Sequence, residues 1–489
     1  MSFRLEFSFH RFIVLEHEFQ AAAVRCTQSA NFTGYGTRMN ALLRWFSPGA
    51  DQPLIEDSQR VDELYRQHRL RIMLAVTLGY GLAYTCRLAL SVVKKPLIDA
   101  GIFSPTELGL IGSALFYAYA VGKLVNGFLA DHANMKVFLA FGVLMSAAMN
   151  IAMGFSTLLT ISVALWALNG WFQGFGAPAG VVAMTHWFSN RERGRYYGIW
   201  STAHAIGEGL TFLVVGGLVA ALGWRFGFWG PGVICVFTAL VIYVLMQDRP
   251  RTLGLPTVND WRKDHWERAG QAAGNGGRSV LATQLSILKI PTVWVLATAS
   301  ASIYVTRYAI NSWGVLYLQE ARGFSLVSAT SYLTLNTVAG IAGCIAFGFI
   351  SDKWFGARRP PANLLFALAE IAGLLLLFFG PPTPATFIAA FVLYGIGLNG
   401  LVTSLGGLFA VDIAPKRVAG AAMGLIGVFS YLGAAIQENV TGHLIERGMQ
   451  VTAEGVRTYD FSTVIWFWIG SSVLSMALAA VLWRVRLRD

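Results

Sequence analysis

Residues 84–90 read YTCRLAL and residues 304–310 read YVTRYAI. Each stretch sets an arginine, Arg87 or Arg307, three positions after a tyrosine in a run otherwise free of charge, and the two lie 220 positions apart. A guanidinium is a planar fork of N–H donors that stays protonated away from water and matches the oxygens of phosphate and carboxylate. Placing one near the centre of a membrane helix costs about 2.5–3.5 kcal/mol, so such residues face a protein interior or a water-filled cavity. Two of them together can neutralise a phosphate dianion. Tyr80 and Tyr84 precede Arg87 by seven and three residues and Tyr304 precedes Arg307 by three, so their hydroxyls share the arginine faces and are expected to complete an anion shell. The competing reading is that each arginine pairs with a buried acid.

The surroundings of these arginines decide what kind of molecule holds them. The chain has 489 residues, 55% hydrophobic and only 13% charged, with 52 glycines and 33 phenylalanines. Soluble chains average about 25% charged residues. A helix needs roughly 20 apolar residues to cross the hydrocarbon core. Windows of that length give twelve spans: 71–93, 107–130, 136–155, 158–186, 196–222, 226–246, 291–318, 326–350, 362–380, 384–412, 418–445 and 461–483. The runs are continuously apolar rather than alternating, which argues against a β-barrel. An all-α membrane protein is expected.

Loops after the even-numbered spans hold most of the basic residues, among them Lys136, Arg191, Arg193, Arg195, Arg249, Arg251, Arg268, Arg278, Lys353, Arg358, Arg359, Lys416 and Arg417. The opposite loops hold Lys94, Lys95, Arg225, Arg322, Arg447 and Arg457. Positive charge gathers on the cytoplasmic side, so both termini are expected there, and the net charge of +11 is read as topology rather than nucleic-acid binding. Cys26, Cys86, Cys235 and Cys344 lack metal or disulfide spacing and are expected to be packing residues. Residues 1–38 make a poor signal peptide; they are expected to be a disordered tail or to precede the natural start, with Met39 opening a more ordinary leader.

The echo of the arginines extends along the chain. Phe103-Ser104 recurs as Phe324-Ser325, and GFLAD at 127–131 recurs as GFISD at 348–352, each 221 positions on. Matched landmarks at near-constant spacing argue for two homologous halves. The expected organisation is a cytoplasmic tail over 1–70, a six-helix half over 71–246, a cytoplasmic linker over 247–290, a second six-helix half over 291–483 and a tail over 484–489. Asp131 and Asp352 then close the second span of each half, where pairing with basic residues would make a conformational lock. A two-fold axis between the halves brings Arg87 and Arg307 to face each other. Two such charges ~10 Å apart at an effective dielectric of ~20 repel by about 1.7 kcal/mol, so an empty cavity resists closure and a bound phosphate relieves it. Lys123 either adds to this positive potential or snorkels to the cytoplasmic edge. His204 and Glu208, four apart on one helix face, either line the cavity as a proton-responsive pair or bond only to each other. Gln437 and Glu438 face either the cavity or the outer water. Among these residues no nucleophile–base arrangement, metal cluster or phosphate loop is found, so neither an enzyme nor a cofactor is expected.

Taken together, Tyr-x-x-Arg in the first and seventh spans, Lys123 within YAVGK and RGRYYGIWSTAHAIGE at 193–208 resemble the organophosphate:phosphate antiporter family. DRPRTLGLPTVNDWRKD at 248–264 and VAGAAMGLIGVFSYLGA at 418–434 look most like its hexose-phosphate sensor branch. The resemblance covers nearly everything from about residue 39 onward. It implies a twelve-helix major facilitator fold in the inner membrane and exchange of a phosphorylated metabolite for inorganic phosphate. Arg87 and Arg307 would hold the phosphoryl group, with Tyr80, Tyr84, Tyr304 and His204 around it. The sensor branch implies a receptor signalling to a partner kinase, and the His204–Glu208 pair a proton-coupled uptake. The chain departs from the family pattern at Leu88, Ser201, Ala205, Glu208, Ser312, Met423 and Ile426, so the phosphate core is kept while its surroundings differ.

Overall fold

The structure is a computed structural model that describes residues 45–264, 286–356, 358–409, 419–451 and 457–484. Expectations that fall on residues 1–38, on Arg268, Arg278, Lys416 and Arg417, on 265–285 of the linker and on 485–489 of the tail lie outside the described residues. The chain divides into the unit Met1–Pro48, in which the Trp45 and Phe46 rings meet edge to face at 5.5 Å, and the unit Gly49–Asp489, which carries the helices.

In chain order the spanning helices are α1 (Ser58–Asp99), α2 (Pro105–Ala130), α3 (Met135–Met153), α4 (Leu159–Gln173), α5 (Gly176–Trp187), α6 (Asn190–Leu222), α7 (Phe226–Leu245), α8 (Pro291–Arg322), α9 (Leu326–Lys353), α10 (Arg359–Phe379), α11 (Pro384–Leu408), α12 (Ala421–Arg447) and α13 (Ser462–Val481). Among the described residues, eleven of these helices are long and apolar enough to cross a membrane. The remaining pair, α4 and α5, together occupy the predicted span 158–186, interrupted at Gly174 and Phe175. Large apolar side chains such as Phe128, Phe237 and Ile345 stand exposed on the outer surface, as a lipid-facing wall requires. A short hairpin pairs β1 (Met449–Val451) with β2 (Arg457–Tyr459) between the last two helices.

The repeat landmarks prove to be helix ends. Ser104 caps α2 by accepting the Glu107 N–H, and Ser325 caps α9 by accepting the Ser328 N–H. The first six spans pack on one another and the last six likewise, while α2 against α12 and α6 against α9 join the two sets.

Both ends of α1 differ from those expected. Helix α1 begins at Ser58, capped by the Asp57 side chain, rather than near residue 71. At ~1.5 Å per residue its 42 residues extend about 63 Å, twice the ~30 Å core, so its first turns protrude. They are covered by the linker: Trp261 stacks on Tyr65 at 4.1 Å and Tyr65 donates to the Pro256 carbonyl. Nearby, Asp248 accepts from the backbone N–H of Met135 at the start of α3 and of Gly49. At its other end α1 runs on to Asp99, so Lys94 and Lys95, counted above as loop charges, are helical and Lys94 is buried.

Helices α1 and α6 cross at glycines. A Cβ added at Gly207 would sit 2.0 Å from the Gly81 carbonyl oxygen, and one added at Gly81 would sit 2.9 Å from that of Ala203. This close approach sets Tyr84 on one helix opposite His204 and Glu208 on the other. A wedge here forces a backbone to move, and overpacking of this kind costs about 1–3 kcal/mol. Gly207→Val is therefore expected to lower the melting temperature of the detergent-solubilised protein by several degrees, checked by thermal unfolding; an unchanged value would show that the crossing is not tight.

Candidate anion site between the halves

Along α1, Tyr80, Tyr84, Arg87 and Lys94 fall at intervals of four, three and seven, which keeps them on one helix face. Arg87 is 3% exposed. Its guanidinium lies 4.4 Å from the Tyr84 ring centre and 4.2 Å from that of Tyr119 on α2, a cation–π sandwich worth about 2 kcal/mol when desolvated. Among the described residues its Nε, Nη1 and Nη2 have no hydrogen-bond partner. Aromatic faces stabilise the charge, but they leave the donors of the fork without acceptors.

Arg307, 4% exposed on α8, is arranged differently. Its Nη2 donates to Glu208 Oε1 on α6 of the other half, while its Nε has no partner among the described residues. Tyr304 and Tyr308 each present a ring 5.7 Å from its guanidinium. An aromatic belt then links the arginines: Tyr119 to Tyr431 at 4.4 Å and Tyr431 to Tyr304 at 5.5 Å.

This resolves several expectations. Of the two arginines one carries a carboxylate partner and one does not, so the even repulsion between two bare charges is replaced by a net charge partly neutralised inside the protein. Glu208 turns to Arg307, and it makes no bond to His204; His204 is half-buried with its ring 6.3 Å from that of Tyr84. Tyr80 packs on Tyr84 at 5.4 Å and on Trp200 at 5.2 Å, one layer behind the guanidinium. Lys123 points across to α12, its Nζ 5.7 Å from the Tyr431 ring centre, and so faces the aromatic cluster between the arginines rather than the membrane edge. The lock residues are unequal: Asp352 pairs with Arg359 at 2.7 Å rather than with Lys353 or Arg358, whereas exposed Asp131 makes no ion pair among the described residues.

Sequence reasoning missed Tyr119, Tyr308 and Tyr431, and it missed the partner of Glu438. Tyr119 lies one turn before Lys123 on α2, a spacing that was available; Tyr431 carries no comparable local signal. Gln437 bonds within its own helix to Thr441, whereas Glu438 is buried against Lys94 of the opposite half at 2.9 Å.

Among the described residues three segments wind as π-helix: Thr211–Val215, Ala309–Trp313 and Ser404–Leu408. The first begins three residues after Glu208 and the second two residues after Arg307. Such segments gather at functional sites, because they re-aim side chains without ending the helix. Here they flank both partners of the ion pair that joins the halves.

The geometry makes Glu208 an internal anion on Arg307. Removing one partner of a buried pair costs about 3–5 kcal/mol, since the other charge is left uncompensated. Glu208→Gln is accordingly expected to melt several degrees lower than the unaltered protein in anion-free buffer and to recover on adding inorganic phosphate, by a larger increment than the unaltered protein gains. Thermal shift with and without phosphate checks this, and an equal increment in both proteins would exclude competition between Glu208 and a phosphate.

Comparison with known proteins bears on the same residues. The model of the Major Facilitator Superfamily matches residues 76–437. The membrane sensor protein UhpC of Salmonella typhimurium is 35% identical over 403 residues, 81% of this chain and 89% of the relative. A probable hexose phosphate transport protein of Chlamydia pneumoniae is 31% identical over 454 residues, 91% and 96% of the two chains. The glycerol-3-phosphate transporter of Bacillus subtilis is 32% identical over 452 residues, 90% and 98%. In structure the chain is similar to the nucleoside transporter NupG, with a TM-score of 0.63 at 16% identity over 86% of this chain and 100% of that one. It is also similar to an inward-facing, occupied bacterial homolog of Spinster, with a TM-score of 0.66 at 17% identity over 84% and 96%. These last two likenesses speak to the fold alone. The chain belongs to the Major Facilitator Superfamily and, within it, to the organophosphate:phosphate antiporter branch.

Proposed function

We propose that the protein is a membrane carrier that exchanges a phosphorylated metabolite of the sugar-phosphate or glycerol-phosphate type for inorganic phosphate by alternating access. The observation that carries this reading is Arg87. A guanidinium buried between two tyrosine rings, with all three nitrogens lacking an acceptor among the described residues, is a costly arrangement unless an oxyanion supplies the missing partners. The names of the relatives match that chemistry, since two of them carry hexose phosphate and glycerol-3-phosphate.

In the resting site Glu208 occupies Arg307, and Arg87 is held by π-faces. An arriving phosphate takes the free donors of Arg87, with hydroxyls from Tyr84 and Tyr119 nearby, and competes with Glu208 for Arg307. Lys123 and His204 complete the shell. Phosphate bound to both arginines then joins the halves in place of the Glu208 contact, and the loaded carrier reorients. Asp352 with Arg359, and Asp131 on the matching end of α2, act at the linker side. That side is the cytoplasmic one, with both termini cytoplasmic and the bilayer the bacterial inner membrane.

A second reading is a receptor that binds a sugar phosphate in the same pocket and signals to a partner kinase. It is favoured by the identity to two UhpC sensors, 35% and 34%. Counterflow separates the two, because a receptor binds phosphate esters without exchanging them.

Each charge-assisted hydrogen bond is worth about 1.5–3 kcal/mol, so losing the bidentate fork costs about ten- to hundredfold at 1.4 kcal/mol per decade. Arg87→Lys and Arg307→Lys are each expected to cut phosphate self-exchange in reconstituted vesicles by at least tenfold. Undiminished flux in either variant sinks the scheme, and saturable binding with no counterflow in the unaltered protein selects the receptor.

A further inference from the structure

Two helical turns beyond Arg87, on the same face of α1 and away from the linker, stands Lys94. It is 0% exposed, and the partners of its ammonium come from the opposite half. Nζ donates to Ser312 Oγ at 2.7 Å and to Glu438 Oε2 at 2.9 Å, and it sits 3.3 Å from the centre of the Trp313 ring. Trp313 Nε1 donates to the same Glu438 oxygen at 3.0 Å. One carboxylate oxygen therefore receives two donors from two different helices, an oxyanion cradle filled by a side chain. The packing around it is tight: a Cβ added at Gly109 or Gly112 of α2 would lie 2.5 Å from the Glu438 carbonyl oxygen or 2.7 Å from Glu438 Oε2.

The division of this cluster between the halves has a consequence for exchange. Ser312 and Trp313 on α8 and Glu438 on α12 belong to one half, and Lys94 alone belongs to the other. Whenever the ends remote from the linker part, Glu438 keeps the Trp313 N–H, but Lys94 loses every partner named above. It is then a bare ammonium on the wall that also carries Arg87, about 10 Å along the helix at ~1.5 Å per residue.

We propose that Lys94 is a second, transient oxyanion site on the side remote from the linker, where it trades the Glu438 carboxylate for the phosphate of an incoming substrate and passes it inward to Arg87. The inference rests on the carrier reading above. It assigns Lys94 a role in binding on one side only: substrate arriving from the linker side reaches the arginines without meeting it.

The test uses right-side-out and inverted vesicles preloaded with unlabelled phosphate, with KM for labelled inorganic phosphate measured from each side. The double variant Lys94→Met/Glu438→Gln removes both charges, so neither is left buried alone. Its KM from the remote side is expected to rise at least fivefold while that from the linker side stays within twofold. Lys94→Arg is expected to keep the remote-side value within about twofold. The charge-swapped variant Lys94→Glu/Glu438→Lys restores an ion pair but takes the cation off α1, and its remote-side KM is expected to stay raised. An unchanged remote-side KM in the double variant, or its return to the unaltered value in the swapped one, overturns the proposal and leaves the pair a latch. Absence of exchange from either side in the unaltered protein overturns the carrier reading instead, and this inference with it.

Discussion

A guanidinium held out of water keeps its charge, and so the structure around it has to supply either negative charge or polarisable faces. This chain uses both solutions within one aromatic-lined cluster. Arg307 receives a carboxylate from the facing half, and Arg87 receives two tyrosine rings. The difference matters because, among the described residues, only the first has an anionic acceptor for its fork. Everything else near the site can be understood as support for that asymmetry: the glycine crossing that brings α6 against α1, the π-turns beside Glu208 and Arg307, and the belt of Tyr119, Tyr431 and Tyr304 between the two cations.

The same constraint organises the join between the halves. Buried ion pairs contribute little net stability against apolar packing, yet they are expensive to break one partner at a time. Among the described residues two buried ones, Arg307 with Glu208 and Lys94 with Glu438, bridge the halves. Each takes its base from one half and its acid from the other, in opposite senses, so that each half contributes one of each charge. An interface built this way is specific in register without being permanently glued, as a reorienting protein requires.

Much of this was legible in the sequence, and the parts that were not have physical reasons. The twofold recurrence of Tyr-x-x-Arg placed each arginine beside one of its tyrosines, Tyr84 and Tyr304, since helical spacing carries that information directly. Apolar windows found nearly every span, and Ser104 and Ser325 marked equivalent caps. The partner of Arg307 was not readable, because Glu208 has His204 one turn away and nothing local says that the other half is nearer. Lys94 reads as a loop charge, since a charged residue normally ends an apolar run; an acid 344 positions later in the chain makes its burial tolerable. Windowing likewise misplaced the start of α1, whose first turns are polar and are covered by the linker rather than by lipid.

The length of α1 carries a mechanical meaning. Lys94 stands seven residues from Arg87 on one side and Ser58 stands twenty-nine on the other, about 10 Å and 44 Å along a stiff rod at ~1.5 Å per residue. A tilt pivoting at Arg87 therefore moves the protruding end about four times as far as it moves the lysine. With Tyr65 stacked on Trp261, the linker is fastened to the far end of that lever and travels with it.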